Sequence, residues 1–153
     1  MKRLLILSLI LTTSAWSQST GLKAGAAAVV ITPNIFPLNM TGGFSANMAE
    51  KAHDPLHSRA LVLSDGQTTL AMVVVDNLGA GPDVLDEVKS IAAGKTGIPV
   101  EKMLICSTHT HSGSSLNTRT EAAAAYRKLF VDGVADSIVQ AHAALKPASI
   151  GAS

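Results

Sequence analysis

The segment from residue 68 to residue 106 constrains the fold more than any other part of the chain. It holds two strand-like runs, 68–75 (TTLAMVVV) and 103–106 (MLIC), and such apolar runs are expected in strands buried on both faces. Between them, apolar residues recur at the spacing of a helix: Val84, Leu85, Val88, Ile91 and Ala92. Asp83 is the predicted N-cap of that helix. A strand, a helix and a strand in this order predict a right-handed βαβ unit with parallel strands.

Two further strands are expected, one of them paired with the first strand of this unit. Residues 57–63 (HSRALVL) are followed by Asp65-Gly66 and then by the 68–75 run. Asp-Gly between two strand-like runs is the strongest short signal for a β-hairpin. Residues 24–31 (AGAAAVVI) are small and β-branched, which is typical of another strand.

The remaining segments predict a loop, a helix and the beginning of a strand. Residues 34–51 have little periodicity and are expected to form a long loop. A helix is predicted from about Thr120, a candidate N-cap, to Ala144. Residues 148–152 look like the start of a strand, so an incomplete domain is expected. The predicted fold class is α/β, with a mixed sheet that contains a hairpin and a right-handed βαβ unit and is flanked by helices.

Residues 1–17 have the pattern of a secretory signal peptide. A basic start (MKR) is followed by an apolar run over residues 4–11 and by small residues around 15–17. The run is too short for a transmembrane anchor, which needs about 20 apolar residues. The sequence therefore predicts a secreted or periplasmic protein, without a transmembrane anchor, whose mature chain begins at residue 18.

Composition excludes several classes of function. The formal net charge is +1 and aromatic residues make up 3% of the chain. Neither value suits a protein that binds nucleic acid through a basic surface or through stacked bases. Cys106 is the single cysteine, which excludes an internal disulfide framework and a CxxC zinc site. It lies in an apolar run and is expected to be a buried small hydrophobic residue.

The candidate chemistry lies in residues 107–113 (STHTHSG), directly after the 103–106 run. Side chains two residues apart in an extended backbone point to the same side, so His109 and His111 are expected to face one cavity. Open α/β sheets bind ligands beyond the carboxyl ends of their strands. Two imidazoles there suit a divalent metal, or one metal ligand beside a proton-transfer group. The alternative is that both histidines are solvated loop residues.

Other polar residues give weaker signals. Asp76 follows the 68–75 run and is either a partner that orients an imidazole or an ordinary turn residue. Ser112 adjoins His111, but neighbouring residues seldom align for proton transfer, so a Ser–His nucleophile pair is not expected. Surface, turn or ordinary helix roles are expected for the remaining histidines, His53, His57 and His142.

Several segments of the mature chain together form a recognisable series. In chain order they are AGAAAVVITP, the Gly42-Gly43 loop, HDPLHSRALVLSDG, VVVDNLG, TGIPVEKMLICSTHTHSG and KPASIG. With the signal peptide, this series resembles the start of the neutral/alkaline (non-lysosomal) ceramidase family. The likeness extends over nearly the whole mature chain and is most specific at STHTHSG. Members of the family are secreted zinc amidases that cleave N-acylsphingosines into a fatty acid and sphingosine.

By this resemblance, His109 is a zinc ligand and His111 lies at the substrate carbonyl beside the metal. In the family, the other zinc ligands (a His, a Glu and a Tyr) and a serine-containing motif lie far downstream. Residues 18–153 are therefore expected to be the N-terminal portion of a ceramidase-like catalytic domain, inactive by itself.

The resemblance departs from the family at one point, because Ser114 and Ser115 stand where ceramidases generally have Pro and Gly. The substrate implied is an amide or a lipid such as ceramide, and which amide is cleaved stays open. The alternative function is an exported non-catalytic α/β module that binds a metal or a small ligand.

Overall fold

The structure, a computed structural model, describes residues 21–151. The helices and strands are, in chain order, β1 (Lys23–Val30), β2 (Leu38–Asn39), β3 (Met48–Ala49), β4 (His57–Ser64), β5 (Thr69–Val75), α1 (Pro82–Thr96), β6 (Met103–Ser107), α2 (Glu121–Ala143) and β7 (Lys146–Pro147). A short 3₁₀ turn, Val100–Lys102, precedes β6. The predicted signal peptide and residue 152 lie outside the described residues.

The strands β6-β5-β4-β1-β7 form one mixed sheet in that order, which confirms the predicted α/β class. The hairpin β4–β5 is antiparallel and pairs Ser58 with Val75. The strands β5 and β6 are parallel, pair Val73 with Ile105 and are joined through α1, as expected for the βαβ unit. The carboxyl ends of β5 and β6 therefore lie side by side, and this edge positions the candidate site.

The Asp65-Gly66 turn shows why the hairpin forms at this place. Gly66 has a φ of +88°, a conformation that glycine adopts without steric cost. The Asp65 carboxylate accepts hydrogen bonds from the backbone N–H groups of Thr68 (2.7 Å) and Gln67 (2.9 Å). These two bonds favour the ionised carboxylate and lower the pKa of Asp65 from its ordinary value.

One face of the sheet is packed against the helices and is called the covered face. The helix α2 contacts β1, β4 and β5, and α1 packs against α2. The sheet residues that point into this core are at most 4% exposed: Ala60, Val62, Ala71, Val73 and Val75. Glycine at position 25 allows the close approach of α2, because a Cβ there would clash with the Ala141 carbonyl.

The opposite face of the sheet is called the open face. Its large apolar residues are 37–62% exposed: Leu61, Leu70, Met72, Val74 and Leu104. The prediction that β5 and β6 are buried on both faces is therefore wrong for residues 21–151, because both helices pack on one side. Cys106 is exposed on this face, which also corrects its predicted burial.

Three boundaries differ from the sequence prediction. Gly81, not Asp83, is the N-cap of α1, since Pro82 at the first helical position needs no hydrogen-bond partner for its nitrogen. The expected loop 34–51 contains the two-stranded sheet β2–β3. The final described strand is β7 rather than a strand starting at 148, and Pro147 is tolerated because β7 is an edge strand.

The second helix is confirmed, with the predicted cap. The side chain of Thr120 accepts a hydrogen bond from the backbone N–H of Ala123 (3.2 Å). Within residues 21–151, neither helix is long and apolar enough to cross a bilayer.

Candidate functional site

The histidine loop, residues 107–113, leaves the sheet where β6 ends. The N–H of Thr108 donates to the Val75 carbonyl (2.9 Å), which keeps the start of the loop beside the end of β5. His109 then has a φ of +62°, in the left-handed region that is uncommon for residues other than glycine. The backbone therefore turns at His109, and the prediction of an extended backbone is wrong there.

The two imidazoles nevertheless lie next to each other. The ring centroids of His109 and His111 are 5.4 Å apart, and the ring planes meet at 73°. Both side chains are exposed at the rim of the sheet. The turn at His109, rather than strand alternation, brings the rings together.

A backbone carbonyl fixes the protonation of His109. Its Nδ1 lies 2.9 Å from the carbonyl oxygen of Leu78, in the loop after β5. A carbonyl oxygen can only accept a hydrogen bond, so Nδ1 is the donor, and in the neutral imidazole Nε2 then keeps its lone pair. Histidines that bind metals are commonly held in this way, with one nitrogen donating to a carbonyl or carboxylate and the other left for the metal.

Gly42 supports His111 from the other side. Gly42 has a φ of +97°, and a Cβ added there would lie 2.6 Å from Cγ of the His111 ring. A side chain at this position would therefore displace the imidazole. The loop around Gly42 is tied to the histidine loop, because Thr41 N–H donates to Gly113 O (3.1 Å) and Ser115 N–H donates to Asn39 O (3.2 Å).

A cavity of about 260 Å³ adjoins this pair of loops. Ser112 and Ser114 of the histidine-loop region contribute to its wall, and Phe36, Met40 and Leu56 make much of the remainder apolar. Met40 and Ser114 also pair as an isolated β-bridge, so the cavity and the histidine loop share a wall. Neither His109 nor His111 is among the described residues that line this cavity, so the expectation that both imidazoles face one cavity stays a prediction.

The Asp76 carboxylate faces β4, where its Oδ2 lies 3.9 Å from Nδ1 of the His57 imidazole. The same Oδ2 accepts hydrogen bonds from the backbone N–H of His57 (2.9 Å) and from Arg59 (2.8 Å). The partner that orients the His109 imidazole is instead Leu78, two residues further along. A backbone carbonyl leaves no trace in residue identity, which is why the sequence did not point to it.

Two buried polar atoms near Asp76 lack a hydrogen-bond partner among the described residues, His57 Nδ1 and the Tyr126 hydroxyl. Burial, together with the negative charge of Asp76, raises the pKa of Tyr126 to about 12. The hydroxyl of Tyr126 is therefore held neutral inside the core.

The donor set near the histidine loop supplies only part of what the zinc implied by the resemblance would need. Across the described range 21–151, no three His, Cys, Asp or Glu side chains converge on a common point that could hold a metal. His109 by itself fits a ligand, because the residue is exposed and its ring is fixed through Nδ1 by Leu78. His53 lines the adjoining cavity, beside the exposed Asp54 (3.1 Å), and His142 lies in the last turn of α2.

No protein-family model matches this sequence, and no curated protein matches it. Among solved structures, the fold is similar to neutral ceramidase from Pseudomonas aeruginosa, with a TM-score of 0.72 and 23% identity over 85% of this chain. It is also similar to a ceramidase complexed with C2, with a TM-score of 0.70 and 23% identity over 84% of this chain. The chain spans 23% and 22% of those two proteins, about a quarter of their length. The expected likeness to neutral ceramidase is thus confirmed at the level of the fold.

Proposed function

We propose that the chain is the N-terminal part of a secreted zinc-dependent amidohydrolase that cleaves an N-acyl lipid such as ceramide. The observation that carries the proposal is the geometry of His109, whose Nδ1 proton is committed to Leu78 and whose Nε2 is left to bind. The similarity in fold to neutral ceramidases supports the reaction class. The THTHSG motif supports the role of each histidine.

In this proposal His109 holds the zinc ion and His111 assists the substrate. Zinc, when bound, polarises an amide carbonyl and makes water more acidic. His111, with its ring centroid 5.4 Å from that of His109, is near enough to donate a hydrogen bond to the substrate carbonyl oxygen as negative charge develops there. The same imidazole can pass a proton during cleavage of the amide.

The remaining parts of the proposal follow from the resemblance. Residues 18–153 are the N-terminal portion of the catalytic domain, and residues 1–17 direct export to a secreted or periplasmic location. The other zinc ligands are supplied by later residues of the longer protein. The 153-residue chain by itself is therefore inactive, because a catalytic zinc ion usually has three protein ligands.

The activity test uses the longer protein that carries the rest of the catalytic domain. His109→Ala is expected to lose bound zinc and amide hydrolysis together. His111→Ala is expected to keep zinc and to lose rate by roughly 100-fold or more, because a proton-transfer group contributes about that factor. Zinc per protein is measured by atomic absorption, and hydrolysis is measured as release of fatty acid from N-acylsphingosine.

His142→Ala is the matched control, since it removes a histidine from the last turn of α2, away from the histidine loop. It should keep both zinc and turnover. Normal turnover in His109→Ala contradicts the proposal. Zinc binding through His109 without hydrolysis of any amide supports the non-catalytic binding module instead.

Two experiments test the remaining parts. The 153-residue chain should release no fatty acid from ceramide and should lose zinc on dialysis, so stoichiometric zinc after dialysis contradicts the incomplete ligand set. N-terminal sequencing of the exported protein should begin at residue 18, and an intact residue 1 in the cytosol argues against the signal peptide.

A further inference from the structure

The loop after β5 contains a buried polar residue that the proposed mechanism does not use. Asn77 is 1% exposed, although it lies in a loop. A buried amide is costly unless it forms hydrogen bonds, so its burial needs a structural reason. Its Oδ1 accepts from the backbone N–H of Leu78 (2.8 Å), and its Nδ2 donates to the Gly79 carbonyl (3.5 Å). The backbone N–H of Asn77 donates to the Val75 carbonyl (2.9 Å). Asn77 thus defines the path of the backbone on both sides of itself.

The peptide unit next to Asn77 is the one that meets His109. The carbonyl oxygen of Leu78 accepts the Nδ1–H of His109 at 2.9 Å. The N–H and the carbonyl oxygen of Leu78 are therefore both engaged, the first by the Asn77 side chain and the second by the imidazole. A change in the Asn77 side chain is transmitted to His109 through one residue of backbone.

A second contact links Asn77 to the far end of the histidine loop. A Cβ added at Gly113 would lie 3.0 Å from Oδ1 of Asn77 and 3.3 Å from its Cα. Such contacts are tighter than ordinary van der Waals distances, so Gly113 lets the loop close onto Asn77. The Asn77 side chain consequently lies between the segment that holds His109 and the segment that follows His111.

We propose that Asn77 is a positioning residue, which holds the Leu78 carbonyl in the place that keeps His109 in its Nδ1-protonated form with Nε2 directed outward. The effect of this arrangement on zinc binding rests on the proposed function. The tautomer of His109 does not, because it can be measured in the chain without any metal. Partners that orient a metal-binding histidine typically change metal affinity by about 10- to 100-fold when they are removed.

The tautomer is measured in the metal-free 153-residue chain by ¹⁵N chemical shifts of the histidine rings, in mildly alkaline buffer. The wild type should show His109 with its proton on Nδ1. Asn77→Ala should shift His109 toward a mixture of tautomers.

Gly113→Ala is a second variant, in which the added Cβ pushes the Asn77 side chain out of place. It should also shift His109 toward a mixture of tautomers. It therefore tests the proposal even if Asn77→Ala does not fold. Gly94→Ala is its matched control, because a Cβ at position 94 meets nothing within 4 Å. That control should leave the His109 signals unchanged.

Zinc chloride is then titrated into the same chain, with the His109 ring signals as the readout. Asn77→Ala should raise the apparent Kd for zinc roughly tenfold or more. If folded Asn77→Ala and Gly113→Ala lose stability but keep the wild-type His109 tautomer, the positioning role is overturned. The proposed function fails separately, if His109→Ala keeps zinc and turnover in the longer protein, and the metal-free tautomer comparison decides the role of Asn77 in either case.

Discussion

The covered face and the open face of the sheet have similar side chains and opposite surroundings. Val73 and Val74 are identical neighbours on β5, yet Val73 is 1% exposed in the covered face and Val74 is 42% exposed in the open face. The covered face packs against α2, whereas within residues 21–151 neither helix reaches the open face. An apolar side chain in this sheet therefore contributes to stability according to its face and not according to its residue type. The comparison predicts four measurable differences.

The largest difference is expected at Phe130, a residue of α2 that is 0% exposed. Phe130→Ala should lower the free energy of unfolding by about 3–5 kcal/mol, because a large buried ring is lost and a cavity is left behind. Chemical denaturation measures the change. The matched variant on the open face is Leu104→Ala at a residue 62% exposed, and it should change stability by no more than about 0.5 kcal/mol. Equal losses in the two variants would show that the open face is packed in solution.

The second difference concerns the pH dependence of the free energy of unfolding, which burial of Tyr126 beneath the covered face causes. Its pKa is raised to about 12 in the folded chain, while an unfolded tyrosine titrates near its ordinary value of 10.0. Above about pH 10 the unfolded chain ionises and the folded chain does not, so stability falls as the pH rises to about 12. The fall attributable to this group is roughly 3 kcal/mol.

Two measurements check this pH dependence. The chain has one tyrosine, so phenolate absorbance follows Tyr126 directly and should have its midpoint near pH 12. Tyr126→Phe should remove the corresponding part of the alkaline loss of stability. A midpoint close to 10 would mean that the Tyr126 ring is not packed as the covered face requires.

The third difference is at a buried hydroxyl pair between β4 and α2. Ser137 Oγ donates to the Val134 carbonyl (2.7 Å), so the 2.9 Å contact between Ser58 and Ser137 has Ser58 as its donor. Ser137→Ala should cost about 1–3 kcal/mol, because it leaves the buried Ser58 hydroxyl without its acceptor. The double variant with Ser58→Ala should cost less than the sum of the single variants, as measured in a double-mutant cycle of urea denaturation. Strict additivity would exclude the pair.

The smallest effect is expected for the variant that probes the open face alone. Val74→Thr should change the free energy of unfolding by less than about 0.5 kcal/mol, since it replaces an exposed β-branched residue by another. Val73→Thr, its neighbour on the covered face, should cost about 1–3 kcal/mol because it buries an unpaired hydroxyl. Thermal unfolding of the two variants under identical conditions makes the comparison. A large loss in Val74→Thr would reverse the assignment of the two faces.

Much of the fold was predictable because its signals are local. The Asp65-Gly66 turn, the cap at Thr120 and the helical spacing between β5 and β6 depend on residues close together in the chain. The burial of β5 and β6 was predicted wrongly for an equally physical reason. A continuous apolar run shows that a strand can be buried on both faces, but it does not show whether a second layer packs against each face.

The candidate site also has a part that the sequence predicted and a part that it did not. Sequence placed His109 and His111 at the end of β6 and predicted that they lie together, but for the wrong backbone conformation. Leu78 and Asn77 were not predicted as part of the site, since one acts through its carbonyl group and the other through the path of the backbone. Both lie in VVVDNLG, a segment that carries the family resemblance, but that segment does not reveal which residues of the histidine loop they contact.

What the sequence by itself determined is the set of strands and helices, their approximate order in a mixed sheet and the location of an imidazole pair at the end of a strand. These depend on periodicity, turn chemistry and capping, all of which act over a few residues. Tertiary structure alone decided which face of the sheet is covered and which nitrogen of His109 is free. Both depend on contacts between distant parts of the chain, such as the 31 residues that separate Leu78 from His109, and residue identity carries no record of where a backbone carbonyl will point.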